Sequence, residues 1–163
     1  MSKLTSPIRP TTDEARLLAR TLLHNAGHIA LAVLDPATGA PSVSRVLMAA
    51  MPDGALIILV SQLSAHTQAL LADPRASLLA GEPGKGDPLA HPRVTVQCLA
   101  QHVSRDSDEH HMMRKSFLAR HPKAKLYIDF PDFLFFRLTP LAASLNGGFG
   151  QAFRLEAKDL CDV

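Results

Sequence analysis

Five side chains in two short stretches could hold an anion: Arg45, and then Ser61, Ser64, His66 and Thr67. Arg45 lies in an apolar stretch, Pro41 to Ala50, where a period of two puts it in one row with Val43, Leu47 and Ala49. A guanidinium in an apolar row predicts a partner, because a buried unpaired charge is costly. Its planar fork fits phosphate or carboxylate through two hydrogen bonds. An internal ion pair, or a side chain reaching solvent at a rim, would also explain it. The second stretch follows the unbroken apolar run Ala55–Val60 and precedes a short helical pattern at Ala65–Ala72. Hydroxyls at Ser61, Ser64 and Thr67 then stand beside a helix start, whose first amides lack partners and whose dipole favours negative charge. Ser64 could equally serve as a plain helix cap. His66 in the first turn could assist as imidazolium, or donate one hydrogen bond as neutral imidazole.

Other chemistry is less well supplied. His24, His28, His110, His111 and His121 have no acid or cysteine beside them at ligand spacing, so no metal site is expected. Gly81-Glu-Pro-Gly84-Lys85-Gly86-Asp87 lacks the order of a phosphate-binding P-loop and reads as a surface loop. No Gly-x-Ser-x-Gly elbow is present, Cys98 reads as a small core residue, and no residue stands out as a catalytic acid or base.

These side chains must be positioned by one domain. The chain has 163 residues, of which 47% are apolar and 20% charged, an ordinary globular balance. A net charge of +2, no tryptophan and 5% aromatics argue against a nucleic-acid partner. No apolar run approaches the ~18 residues that a membrane span needs. The first ten residues have no apolar signal core, and two distant cysteines make no disulfide framework, so the expectation is a cytoplasmic protein.

In chain order, residues 1–11 read as a lead-in, and Thr12-Asp13-Glu14 opens a helix with an apolar stripe of Ala15, Leu17, Leu18, Leu22 and Leu23, ending near Asn25-Ala26-Gly27. Strands are expected at 28–34, 41–50, 55–60, 76–80, 93–103 and 133–138, helices at 65–72 and 106–120, and a glycine-rich return at 145–150. Asp35–Gly39 and Asp53-Gly54 are turns. A parallel sheet would need a helix between most strands, and 28–60 has none. The reading is therefore a mainly β fold, an antiparallel barrel of six strands with helical additions, over 12–155, with a tail at 156–163.

The same residues, taken with further motifs, carry a resemblance. These motifs are Ser61-x-Leu63-x-x-His66-Thr67-x-x-Leu70, Asp73-Pro74-Arg75-x-Ser77-Leu78 and Gly86-Asp87-Pro88-Leu89-x-x-Pro92-Arg93-Val94-Thr95. Later come Phe117-Leu118-x-x-His121-Pro122-x-Ala124-x-x-Tyr127, Phe130-x-Asp132-Phe133 and Gly147-Gly148-Phe149-Gly150. The chain resembles the pyridoxamine 5′-phosphate oxidase-related, FMN-binding split-barrel superfamily, and within it the haem-utilisation branch. The resemblance implies a homodimer with two flavin sites along its interface. The FMN phosphate would lie at Arg45, Ser61, Ser64, His66 and Thr67. The backbone of Val46, Leu47 and Val60 would line the ring, and Gln97 would approach from the partner. It implies an FMN-dependent oxidoreductase acting on a small-molecule substrate or electron donor, with a haem-binding protein that uses the same crevice as the alternative. Three features depart from the family pattern: His66 replaces a lysine common in flavin binders, Cys98 replaces a glycine, and no histidine follows His121 to serve as a tail ligand for haem iron.

Overall fold

The computed structural model describes residues 6–161. Short β1 (Ile8–Arg9) precedes α1 (Asp13–Asn25), whose start is capped by Thr12, the hydroxyl accepting from the Ala15 amide at 3.1 Å. Then follow β2 (His28–Leu34), β3 (Pro41–Ala50), β4 (Leu56–Ser61), α2 (Ala65–Ala72), β5 (Arg75–Ala80), β6 (Arg93–His102), α3 (Asp108–Arg120), β7 (Phe133–Asn146) and β8 (Ala152–Glu156). Every expected element is present within a few residues except at the C-terminal end. There β7 runs on past residue 138 to Asn146, and the glycine-rich return closes a hairpin onto β8. Pro140 lies inside this strand although it cannot donate to a ladder. It is accommodated at an irregularity: Cys98 faces Pro140 and Gln97 faces Ala142, which leaves Leu141 as an extra residue.

Six strands close the barrel in the order β2-β3-β4-β7-β6-β5 and back to β2, and every one of those pairings is antiparallel. β8 extends the sheet from the second half of β7, and β1 pairs with it in parallel. The unbroken apolar run at the start of β4 now has its explanation. Leu56, Ile58 and Val60 face the barrel core, while Ile57 and Leu59 face a second cluster built by α3, with Met113, Phe117, Ile128 and Phe135. A strand covered on both faces cannot alternate.

α1 buries a narrower stripe than its sequence suggests: Ala15, Ala19 and Leu23 are buried, but Leu17 is 61% exposed. The small alanines let the helix lie close across the barrel, with Leu18 and Leu22 packed partly buried beside them and Leu17 turned outward. The segment after β8 also belongs to the packed unit. Asp159 in the 3₁₀ turn Ala157–Leu160 is buried, and accepts from Arg16 Nε at 2.7 Å and from the Glu156 amide at 2.8 Å. The Arg16 hydrogen bond is the main reason its carboxyl is held below the usual range. At the turn between β3 and β4, Gly54 has φ +82° and an added Cβ would lie 2.8 Å from Cys161 Cα, so both backbone and space require glycine there.

The two cysteines should differ sharply in reactivity. Cys98 is 2% exposed inside the barrel, and burial pushes its thiol up to about 12. Iodoacetamide applied to the native protein at neutral pH should therefore label Cys161 and spare Cys98 until denaturant is added, as read by peptide mass.

Candidate functional site

The row Val43, Arg45, Leu47 faces outward from the barrel, with Val43 66% and Leu47 39% exposed, while Val46 and Met48 fill the interior. Arg45 is exposed and makes no hydrogen bond or ion pair among the described residues. The premise that its row is buried is thus corrected. The alternation of β3 was read with the wrong face inward, and only Ala49 of that row is covered, because α3 lies over the strand end. Arg45 remains the unpaired cation of an apolar face, now available to a ligand arriving from outside.

β3 and β4 pair only from Met48–Ile58 to Ala50–Leu56. Before Met48, β3 continues on β2, and after Ile58, β4 continues on β7. The strands therefore part between Arg45–Leu47 on one side and Leu59–Ser61, with the start of α2, on the other. The expected site residues Arg45, Val46, Leu47, Val60, Ser61, Ser64, His66 and Thr67 all lie around this parting. Val46 and Val60 are buried, so only their backbone could line it. Gln97 stands apart. It shares the outer row with Ser77, Ala32 and Val43, which places it three strands from β3.

The polar loop after β4 is tied down by a residue not singled out as a site residue in the sequence. Ser61 Oγ donates to Asp132 Oδ2 at 3.0 Å and accepts from the Leu63 amide at 3.2 Å, while the Gln62 amide donates to the Asp132 carbonyl at 2.7 Å. The signal for Asp132 lay in the Phe130-x-Asp132-Phe133 motif, which marks a residue without saying what it touches. Ser64 precedes α2 but makes no side-chain cap bond, so its hydroxyl is available. His66 is half-buried, and burial lowers its pKa, so at neutral pH it is an uncharged ring rather than a cation for the site. Thr67 is fully buried and its hydroxyl is the one buried side-chain polar atom without a hydrogen-bond partner among the described residues.

A buried hydroxyl without a partner carries a desolvation penalty of roughly 1–3 kcal/mol, so Thr67→Val should leave the free protein as stable or raise its melting temperature slightly. A fall in melting temperature would mean that the hydroxyl has a partner in solution.

The outer face that continues from β3 across β2 to β5 and β6, away from the parting, is apolar. Leu79 (42% exposed), Leu99 (40%) and Leu141 (52%) join Val43 and Leu47 across β3, β5, β6 and β7. A crevice of about 390 Å³ opens in this face between Leu34, Pro41, Arg75, Ser77, Leu99 and Leu141, with Gln97 on its wall. Leu141, the extra residue of β7, projects into it. Among the described residues no group of three or more histidine, cysteine or acidic side chains could hold a metal ion, and no helix is long and apolar enough to cross a membrane.

Comparison with known proteins places this geometry. The profile described as "CREG, beta-barrel" matches residues 10–161. Non-canonical heme oxygenase HOZ, chloroplastic, of Arabidopsis thaliana is 36% identical over 115 residues, covering 71% of this chain and 34% of that protein. Heme oxygenase HutZ of Vibrio cholerae is 28% identical over 166 residues, covering 98% of this chain and 88% of HutZ. A solved heme binding protein from Mycobacterium smegmatis superposes with a TM-score of 0.82 at 31% identity, over 94% of this chain and 61% of that one. The chain thus spans about a third of HOZ and most of HutZ. With its closed six-stranded barrel, open outer face and this match over nearly the whole length, the chain belongs to the CREG β-barrel family.

Proposed function

We propose that this chain is a haem-binding protein of the haem-utilisation kind, working as a homodimer whose outer barrel faces enclose the ligand. The observation that carries this reading is the apolar face of Val43, Leu47, Leu79, Leu99 and Leu141 with one unpaired cation, Arg45, on it. An exposed apolar patch of this kind marks an interaction surface, and a second copy related by a twofold axis would cover it with itself. Haem matches the combination, being a broad apolar plate with carboxylates on one edge. Arg45 would pair with a propionate through its fork. The backbone of Val46, Leu47 and Val60 would lie along the plate. Ser64, His66 and Thr67 would form the polar end, Ser61 would hold the loop, and the partner's Gln97 would approach across the interface. The names borne by the relatives, heme oxygenase and heme binding protein, support the same ligand. When bound, haem would be cargo or the substrate of its own oxidative cleavage, with electrons supplied by a separate donor.

An FMN-dependent oxidoreductase is the second reading, favoured by the free Ser64 hydroxyl at the start of α2 and by the exposed Arg45. The neutral His66 and the engaged proton of Ser61 fit that cofactor's phosphate less well.

The test is a visible titration of the purified protein with haemin and, separately, with FMN. A Soret band that saturates at a fixed ratio of haem to chain is expected. Flavin uptake at one per chain, with haemin only dispersing nonspecifically, would replace the haem reading by the flavin one.

A further inference from the structure

The polar loop at the end of β4 holds the Asp132 carboxylate where the superfamily resemblance implies a phosphate. Ser61 has a single hydroxyl proton, and that proton is donated to Asp132 Oδ2 at 3.0 Å. Its oxygen already accepts from the Leu63 amide at 3.2 Å. The Asp132 carbonyl takes the Gln62 amide at 2.7 Å, so backbone and side chain of one residue both brace this loop. A phosphate dianion offers no proton, so it could gain nothing from Ser61 unless the Asp132 bond broke. A phosphate seated beside Ser61 would also face the aspartate carboxylate a few ångströms away, and like charges at that range repel appreciably in a half-buried setting. Arg45, the free cation of the site, stands on β3 across the parting. Among the described residues no positive side chain is bonded to Ser61 or Asp132 to offset the carboxylate at the loop itself. Arg105 is engaged elsewhere in the same segment, donating to the carbonyls of Asp129, Phe130 and Phe133. His66, the nearest imidazole of α2, is kept uncharged by burial.

We propose that Asp132 is a specificity-determining residue that makes this crevice reject ligands bearing a phosphate monoester and so disfavours FMN. It acts through its charge and through its hold on the Ser61 hydroxyl. This rests on the reading that the parting of β3 and β4 is a cofactor crevice, and it adds which class of cofactor that crevice refuses.

Asp132→Asn separates the charge from the bracing, because an amide oxygen can still accept from Ser61 while the negative charge is gone. FMN and riboflavin share one ring system and differ in the phosphate, so the pair isolates the group in question. Fluorescence quenching titrations of wild type and Asp132→Asn with both flavins are expected to show FMN binding tightened at least about tenfold by the substitution, the scale of one removed charge–charge repulsion. Riboflavin binding should be unchanged. Equal tightening of both flavins would show a loosened loop rather than a charge effect, and would overturn the assignment. So would wild-type protein that already binds FMN as tightly as the variant, or no FMN binding by either. A parallel haemin titration of the wild type distinguishes failure of this proposal from failure of the haem reading, since it reports on the crevice without a phosphate. Melting curves confirm that the variant is folded.

Discussion

Val43→Glu combined with Leu47→Glu should turn the protein into a monomer in light-scattering chromatography and weaken haemin binding by at least about tenfold, the loss expected when apolar anchors at the centre of an interface are replaced. Both side chains point outward, at 66% and 39% exposure, so within one chain they lose little by becoming charged. Surface changes away from packed features usually shift stability by only ~0.5 kcal/mol. In a twofold pair, each new carboxylate would be buried on the apolar face of the other copy without a partner, which is costly. The melting temperature of the dilute protein separates the cases. A folded monomer that has lost haem supports an interface site. A dimer that persists with full haem affinity would place both the interface and the ligand elsewhere. Arg45 stands in the same row, but its removal alone tests the ligand and not the assembly.

Phe117→Ala should be the most damaging single change to stability, at about 3–5 kcal/mol, the range for deleting a buried phenylalanine. Phe117 is fully buried at the centre of the second cluster, with its ring 5.6 Å from that of Phe135 and 4.7 Å from that of His121. His121 in turn reaches the Met48 carbonyl through Nε2 at 2.7 Å, so the cluster fastens α3 to the strand that also carries Arg45. Set against a typical total of 5–15 kcal/mol, this loss should lower the melting temperature by roughly 10 °C. The barrel interior is a separate cluster that contains no atom of α3. The variant should therefore retain its β signature in circular dichroism below the transition. A change of under 1 kcal/mol by denaturant titration would mean that α3 is not fastened through Phe117.

Much of the fold was legible because its signals were local. The helix start at Thr12, the Asp53-Gly54 turn and the strand at 28–34 each rest on signals within a few residues, and each is where the sequence placed it. The barrel followed from the lack of helices between residues 28 and 60. What was not legible depends on distant partners. The run at Ala55–Val60 announced a doubly covered strand but could not name α3 as the cover. β8 and the continuation of β7 stayed hidden because a proline inside a strand gives no ladder signal of its own, and Pro140 is accommodated only by the irregularity opposite Cys98. The facing of Arg45 was misjudged for a related reason. Period two assigns residues to two faces, and the apolar outer face of this barrel resembles an inner one. Asp132 could be seen as part of a motif, yet its link to Ser61 crosses 71 residues of chain and leaves no trace in spacing.

The long β7 has a consequence for how the molecule opens. β6 lines one side of it from Phe136 to Asn146, while β4 lines the other from Phe133 to Leu138 and β8 takes over from Ala142. An amide held between two neighbours is released to solvent only when the sheet comes apart around it. In deuterium exchange, β7 should therefore be the slowest segment, with a short faster gap near Leu141 where the ladder is irregular. β3 before Met48, hydrogen-bonded to β2 alone, should exchange orders of magnitude sooner. The outer face that carries Arg45 can thus breathe on a barrel that stays closed.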